Sequence, residues 1–133
     1  MPSKKFTFKK AYEIIDAYEE STWMGNDIPV LETEYTGVFN DRYPCVEGHK
    51  LFIPKKNTPE YIGQSYSLAY EYGTNKVAGG EIAGFNVGMN IGICAGQTIL
   101  WPHIHFIPRH DDDAPEIGGM RHAHPGADHK RYY

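Results

Sequence analysis

Cysteine is scarce: Cys45 and Cys94 are the only two in 133 residues. Two isolated thiols exclude a disulfide scaffold and argue against a CxxC zinc site. Such sparing use fits a reducing, cytoplasmic setting. Long apolar runs are also missing. The longest uncharged stretches are broken by Gly, Asn or His, so no segment reads as a membrane span. The opening MPSKKFTFKK has charge but no apolar core behind it, so no secretory signal is expected. Positive charge is not in excess: Lys and Arg total 13 against 17 Asp and Glu, for a net charge of −4. That balance argues against a general nucleic-acid binder, although a small anion could still be held where cations gather locally.

What remains is an ordinary globular composition, 41% hydrophobic and 23% charged, which excludes wholesale disorder. At this length a single domain over 1–133 is expected, its core at about 6–110 and a polar tail at 111–133. Aromatic residues reach 14%, and six of the seven histidines lie at or after position 103.

Phe8, Ala11, Ile15 and Tyr18 recur at helical spacing, predicting a helix over 7–20 with Thr7 as its cap. Gly25, Asn26, Asp27 and Pro29 break the pattern. Strands are expected at 30–34, 35–41 and 49–54, the first two as a hairpin. Thr58-Pro59-Glu60 is a helix start, with a capping hydroxyl, proline at the first helical position and an acid at the positive dipole end. That helix should reach about Lys76, with Gly63 and Gly73 each weakening it by about 1 kcal/mol against alanine. Alternation of Phe85, Val87, Met89 and Ile91 with polar or small residues predicts a half-buried strand. A last strand is expected over 98–107, where Pro102 suggests an edge or a bulge. The sum is an α+β domain: a mostly antiparallel sheet of about five strands with two helices.

On that last strand, period two puts His103 and His105 on one face, with Leu100, Ile104 and Phe106 opposite. The preceding loop, Asn90 to Thr98, can aim backbone N–H groups and the Gln97 and Thr98 side chains at an anion. Neutral imidazole is a competent nucleophile at pH 7, so one histidine could attack phosphorus while the other steadies the developing charge. Two other readings compete: a merely satisfied polar pair, or two metal ligands. The metal reading suffers from position. A cupin-like barrel wants glycine six residues before the first histidine and glutamate four or five after the second. Here Gly96 stands seven before, and Arg109 and His110 occupy the glutamate places. No metal ligand is therefore expected.

The segment Gly96-Gln-Thr-Ile-Leu-Trp-Pro-His-Ile-His-Phe-Ile-Pro-Arg109 resembles the signature strand of the histidine triad (HIT) superfamily. The segment Asp41-Arg-Tyr-Pro-Cys-Val-Glu-Gly-His-Lys-Leu-Phe-Ile-Pro-Lys-Lys56 looks like its other recurrent block. The likeness spans about 38–125 and includes Asn90. The tail from Gly118 to Gly126 is similar to tails of bacterial HIT hydrolases. This resemblance implies a five-stranded antiparallel sheet under a helical cover, in a homodimer.

It also implies roles. His103 would be the nucleophile that forms a nucleotidyl-histidine, and His105 would bind a non-bridging phosphate oxygen with Gln97, Thr98 and Asn90. Asp41 would accept from the ribose hydroxyls, and His49 matches the family's upstream histidine. The first triad histidine is replaced by Trp101. If the backbone carbonyl of residue 101 accepts from His103 Nδ1–H, the reactive tautomer survives that replacement. The implied activity is hydrolysis at the α-phosphate of dinucleoside polyphosphates or similar nucleotides. The alternatives are a nucleoside phosphoramidate hydrolase and a nucleotide-binding module with little turnover. No cofactor is required by this chemistry, and Mg²⁺ would enter only with the substrate.

Among the other candidates, Arg109 and Arg121 are the best placed of the cations to meet a polyphosphate. Asp111-Asp112-Asp113 could hold Mg²⁺ but reads first as a solvated turn. His122, His124 and His129 read as exposed tail residues. The tyrosines at 12, 18, 61, 66, 70 and 72 suit helix faces packed on the sheet, and Val38, Phe39 and Ile53 are expected near the nucleobase.

Overall fold

The structure, a computed structural model, describes residues 15–113 and 119–127. Five strands form one antiparallel sheet: β1 (Leu31–Glu32), β2 (Thr36–Asn40), β3 (Lys50–Pro54), β4 (Gly84–Gly88) and β5 (Ile104–Arg109). Their order across the sheet is β1-β2-β3-β5-β4. Among the described residues, two α-helices accompany them, α1 (Thr22–Asn26) and α2 (Pro59–Ala78). The expected α+β class, with five antiparallel strands and two helices, is what the chain adopts.

α2 begins as the sequence dictates. The Thr58 side chain accepts from the Tyr61 amide, and Pro59 opens the first turn. Its buried residues, Ser65, Ala69 and Gly73, repeat every four positions. This stripe of small side chains lets the helix axis approach the sheet closely. Ser65 meets Thr36 of β2 in a buried hydroxyl pair at 2.6 Å. Val38, Phe52, Ile104 and Phe106 point to the helix and form one core cluster with Ala69. Phe39, Leu51 and Ile53 point the other way and pack with Ile15, Tyr18, Trp23 and Trp101. The sheet is thus buried on both faces, by α2 on one and by residues 15–26 and 101 on the other.

Several expectations need correction. The helix expected over 7–20 falls mostly outside the described residues, and its described end is a short 3-10 turn, Tyr18–Glu20. A separate five-residue helix follows, capped by the Ser21 hydroxyl accepting from the Met24 amide. The last strand starts at Ile104 rather than at 98. It lies between β3 and β4, so Pro102 marks neither an edge nor a bulge but the extended lead-in. β4 stops at Gly88, and Ile91 is exposed. Among the described residues no helix is long and apolar enough to cross a membrane.

Candidate active site

Strand pairing assembles the site on the sheet face opposite α2. Register β2–β3 pairs Asn40 with Lys50, so Asp41 and His49 are the next couple outward, joined by Asp41 N–H donating to the His49 carbonyl at 3.0 Å. The turn between them needs Gly48, whose φ of +96° is open to glycine and strained for other residues. Register β3–β5 pairs Leu51 with His105 and sets His105 on the same face. Burial along β5 alternates, with Ile104, Phe106 and Pro108 inward and His105, Ile107 and Arg109 partly open.

His103 precedes the strand and is only 7% exposed. Its Nδ1 lies 2.7 Å from the main-chain oxygen of Trp101. A carbonyl can only accept, so Nδ1 carries the proton and Nε2 keeps its lone pair. The Trp101 indole does not enter the site. It is turned into the core, where Nε1–H donates to the Pro54 carbonyl at 2.9 Å. Trp23 packs its ring on the His103 imidazole, centroids 5.1 Å apart. Burial pushes the His103 pKa below the ordinary histidine range, against the opposing effects of the Trp101 hydrogen bond and the Asp41 carboxylate. Neutral imidazole is therefore the form present at pH 7.

Beside it, His49 accepts from the Cys45 amide at Nδ1, 3.2 Å. Its single proton then sits on Nε2, which faces His105 Nδ1 at 3.0 Å and Asp41 Oδ2 at 3.2 Å. With His49 donating, His105 accepts at Nδ1 and carries its own proton on Nε2, a donor available to an anion. His105 Nδ1 is also 3.8 Å from Asp41 Oδ2. Burial lowers the His49 pKa, with Asp41 opposing. His105 is pushed down to about 4, chiefly by burial and further by the neighbouring His103 and His49. Among the described residues, Asp41, His49 and His105 are also a group with metal-ligand atoms in reach of one another.

His103, His105, Asp41, Asn90 and Thr98 line one cavity of about 430 Å³, together with Trp23. His49 opens instead to a second cavity of about 890 Å³, which His105 and Asn90 share. Met120 of the tail lines that larger space, so the tail docks beside the site.

Of the expected phosphate ligands, Gln97 lines neither cavity. Gln97 spends its amide on its own loop, with Oε1 accepting from Gly92 N–H at 2.8 Å and Nε2 donating to the Ile99 carbonyl at 3.0 Å. Arg109 does not line the smaller cavity; it lines the larger one with His49, His105 and Asn90, where it donates to Asn86 Oδ1 and Asp113 Oδ2. Asp113 is therefore an acceptor for Arg109 and the His110 amide. Val38, Phe39 and Ile53 are fully buried in the core, and Trp23, Leu51 and Ile99 take the apolar wall of the smaller cavity instead. Trp23 and the Cys45 amide had no periodic or motif signal to mark them. Of the tail histidines, His124 accepts from the Gly126 amide and His129 lies outside the described residues.

The sheet thus carries a buried neutral imidazole at its lip and a second imidazole donor beside it, in a small α+β domain. A family model described as the HIT domain matches residues 26–112, and the chain belongs to that family. It is 29% identical over 97 residues to the adenosine 5'-monophosphoramidase HNT1 of Saccharomyces cerevisiae, covering 68% of this chain and 59% of that protein. Its fold matches a zinc-bound histidine triad family protein from Mycobacterium smegmatis with a TM-score of 0.62 at 25% identity, over 72% of this chain and 76% of the other. It also matches the diadenosine triphosphate hydrolase of Plasmodium falciparum, TM-score 0.56 at 27% identity, over 62% and 61%. The chain spans about three-fifths of the length of the curated relatives it matches. The family thus includes hydrolases that act on nucleotides.

Proposed function

We propose that this protein is a nucleotide hydrolase that cleaves at the α-phosphate of dinucleoside polyphosphates or similar nucleotides. The observation that carries the reading is the His103–Trp101 hydrogen bond, which fixes a neutral imidazole with its Nε2 lone pair toward the cavity. In the first step Nε2 bonds to the α-phosphorus and the bond from phosphorus to the leaving oxygen breaks, the electron pair departing with the leaving group. In the second step water bonds to phosphorus and the N–P bond breaks, releasing a nucleoside monophosphate. His105 Nε2–H donates to a non-bridging phosphate oxygen as charge builds there. Thr98 and Asn90 line the same cavity and complete the phosphate cradle. Asp41 takes the ribose hydroxyls. Gln97 acts by holding the loop, and Mg²⁺, if used, arrives on the substrate.

Diadenosine tetraphosphate, with products separated by chromatography, is the test. AMP plus ATP is expected, whereas two ADP would mean symmetric cleavage and a different chemistry. In the variant His103→Ala, turnover should fall at least about 1,000-fold while AMP affinity stays within a few-fold. Equal loss of both would overturn the nucleophile. The match to the yeast monophosphoramidase favours a second reading, an amine leaving group. Adenosine 5'-phosphoramidate hydrolysed well ahead of diadenosine tetraphosphate would select it. The working form is proposed to be a homodimer, and sedimentation at the 15.1 kDa of one chain would contradict that.

A further inference from the structure

The hydrogen bond from Nδ1 to the Trp101 carbonyl fixes one edge of the His103 ring and leaves the ring free to pivot about that bond. The outer torsion of a histidine side chain is broad, so rotamer preference does not choose the pivot angle. Neighbouring rings have to. The His105 ring stands 5.4 Å from that of His103, centroid to centroid, and the Trp23 indole stands 5.1 Å away at 49°. The His105 side chain is partly open to solvent, whereas Trp23 is 3% exposed and has little room to give way. We propose that Trp23 is a positioning residue for the nucleophile: its indole holds the His103 imidazole at the angle that aims Nε2 into the smaller cavity. Its effect on turnover rests on the hydrolase reading above, and its hold on the ring does not.

The matched span 26–112 begins three residues after Trp23, so the family match assigns this side chain no role. A five-residue helix has no stability of its own, and α1 is tied down at both ends. Ser21 Oγ accepts from the Met24 amide at 3.3 Å, and the Asp27 amide donates to the Trp23 carbonyl at 2.7 Å. Arg42, which follows Asp41 in the chain, donates to the Thr22 carbonyl at 3.4 Å and to Asp27 Oδ2 at 3.1 Å. The helix that carries the indole is thus anchored to the turn that carries Asp41. The indole itself shares a core cluster with Leu51, Ile53 and Trp101.

A tryptophan that only fills the core has no need to meet a reacting group. Trp23 lines the cavity that His103, His105 and Asp41 share, and its ring contact is with the imidazole that would attack. Attack on phosphorus needs the Nε2 lone pair in line with the bond that breaks, and a misplacement of about 1 Å costs on the order of 100-fold. A flat aromatic face restrains the tilt of a second ring through a preferred packing geometry, which an aliphatic side chain of similar bulk does not provide.

Turnover of diadenosine tetraphosphate and affinity for AMP should be measured on the full chain and on Trp23→Leu and Trp23→Phe, with urea denaturation giving the folded fraction. Trp23→Leu keeps apolar bulk but no flat ring, so kcat per folded molecule should fall at least about 30-fold. Its AMP Kd should stay within about threefold, and Trp23→Phe should recover kcat to within about threefold of the wild type. By NMR, the His103 Nδ1 proton should exchange with solvent at least about tenfold faster in Trp23→Leu than in the wild type, and Trp23→Phe should restore its protection. The wild-type spectrum should also show cross-peaks between the His103 ring protons and the indole, a check that serves if Trp23→Leu does not fold. Their absence overturns the hold. A Trp23→Leu protein with normal kcat per folded molecule and only a lower folded fraction overturns the proposal in favour of a structural role. Raised KM and Kd with kcat unchanged overturn it in favour of a plain cavity wall. A wild-type protein that turns over no nucleotide removes the hydrolase reading and the effect on kcat with it, while proton exchange and the cross-peaks still decide the hold on His103.

Discussion

His103 donates its Nδ1 proton to the main-chain oxygen of Trp101, 2.7 Å away, while the Trp101 indole points to the other side of its own backbone and donates to Pro54. The residue at the first triad position therefore serves His103 through a group that every amino acid has. Its side chain serves the core.

That division of labour predicts the behaviour of Trp101→Phe. The Pro54 carbonyl loses its buried donor and the core loses volume, so stability should fall by about 1–3 kcal/mol in urea denaturation. The backbone carbonyl remains, so turnover per folded molecule should stay within roughly threefold. A folded Trp101→Phe protein that has lost turnover a hundredfold would show that the indole itself takes part.

The three lowered histidine pKa values predict an unusual acid side. His105 is held at about 4, against about 6.5 in the unfolded chain. Between those values the unfolded state binds more protons than the folded one. Stability from this group is therefore constant above pH 6.5 and is lost as pH falls toward 4, by about 2 kcal/mol at pH 5. Urea denaturation at pH 7.5 and pH 5 checks the sign, and greater stability at pH 5 would contradict it. Activity should fall off only on the acid side of the ordinary histidine range, because burial lowers the His103 pKa.

Much of this arrangement was legible in the chain. Thr58-Pro59 marked the helix start, and alternation through Ile104 and Phe106 marked the inward face of β5. The pair His103/His105 was legible as a pair but not as geometry. Period two places both on a strand, whereas the ladder begins only at Ile104, and the ring of His103 is set by the carbonyl two residues earlier. The approach of Asp41 to His49 depends on hairpin register, and that of His49 to His105 on a pairing across 56 positions. Neither is written in local periodicity. Gln97 misled for a related reason: an amide beside an anion loop can as readily tie the loop to itself.

Gln97 should accordingly act as a positioning residue. Gln97→Ala removes both ties, from Gly92 and to Ile99, across the loop that carries Thr98. The expected result is a KM raised about tenfold with kcat less affected, alongside faster hydrogen exchange at the Gly92 amide. A fall in kcat alone, with KM and exchange unchanged, would instead place the amide on the transition state.

The two interior glycines of α2 should respond oppositely to alanine, although helix propensity treats them alike. At Gly63 an added Cβ meets nothing within 4 Å. Gly63→Ala should therefore stabilise the protein by about 0.5–1 kcal/mol, the propensity gain undiluted. At Gly73 the same carbon would lie 2.5 Å from the Phe85 ring. That ring stacks on Phe106 with centroids 5.3 Å apart and meets Tyr70 edge-on, so moving it aside disturbs both contacts. Overpacking costs about 1–3 kcal/mol and exceeds the propensity gain, so Gly73→Ala should be destabilising in the same denaturation assay. Gly73 is thus the point where the sequence accepts a weaker helix so that β4 can close against it. A stabilised Gly73→Ala variant would mean that α2 stands further from β4 than the Phe85 contact requires.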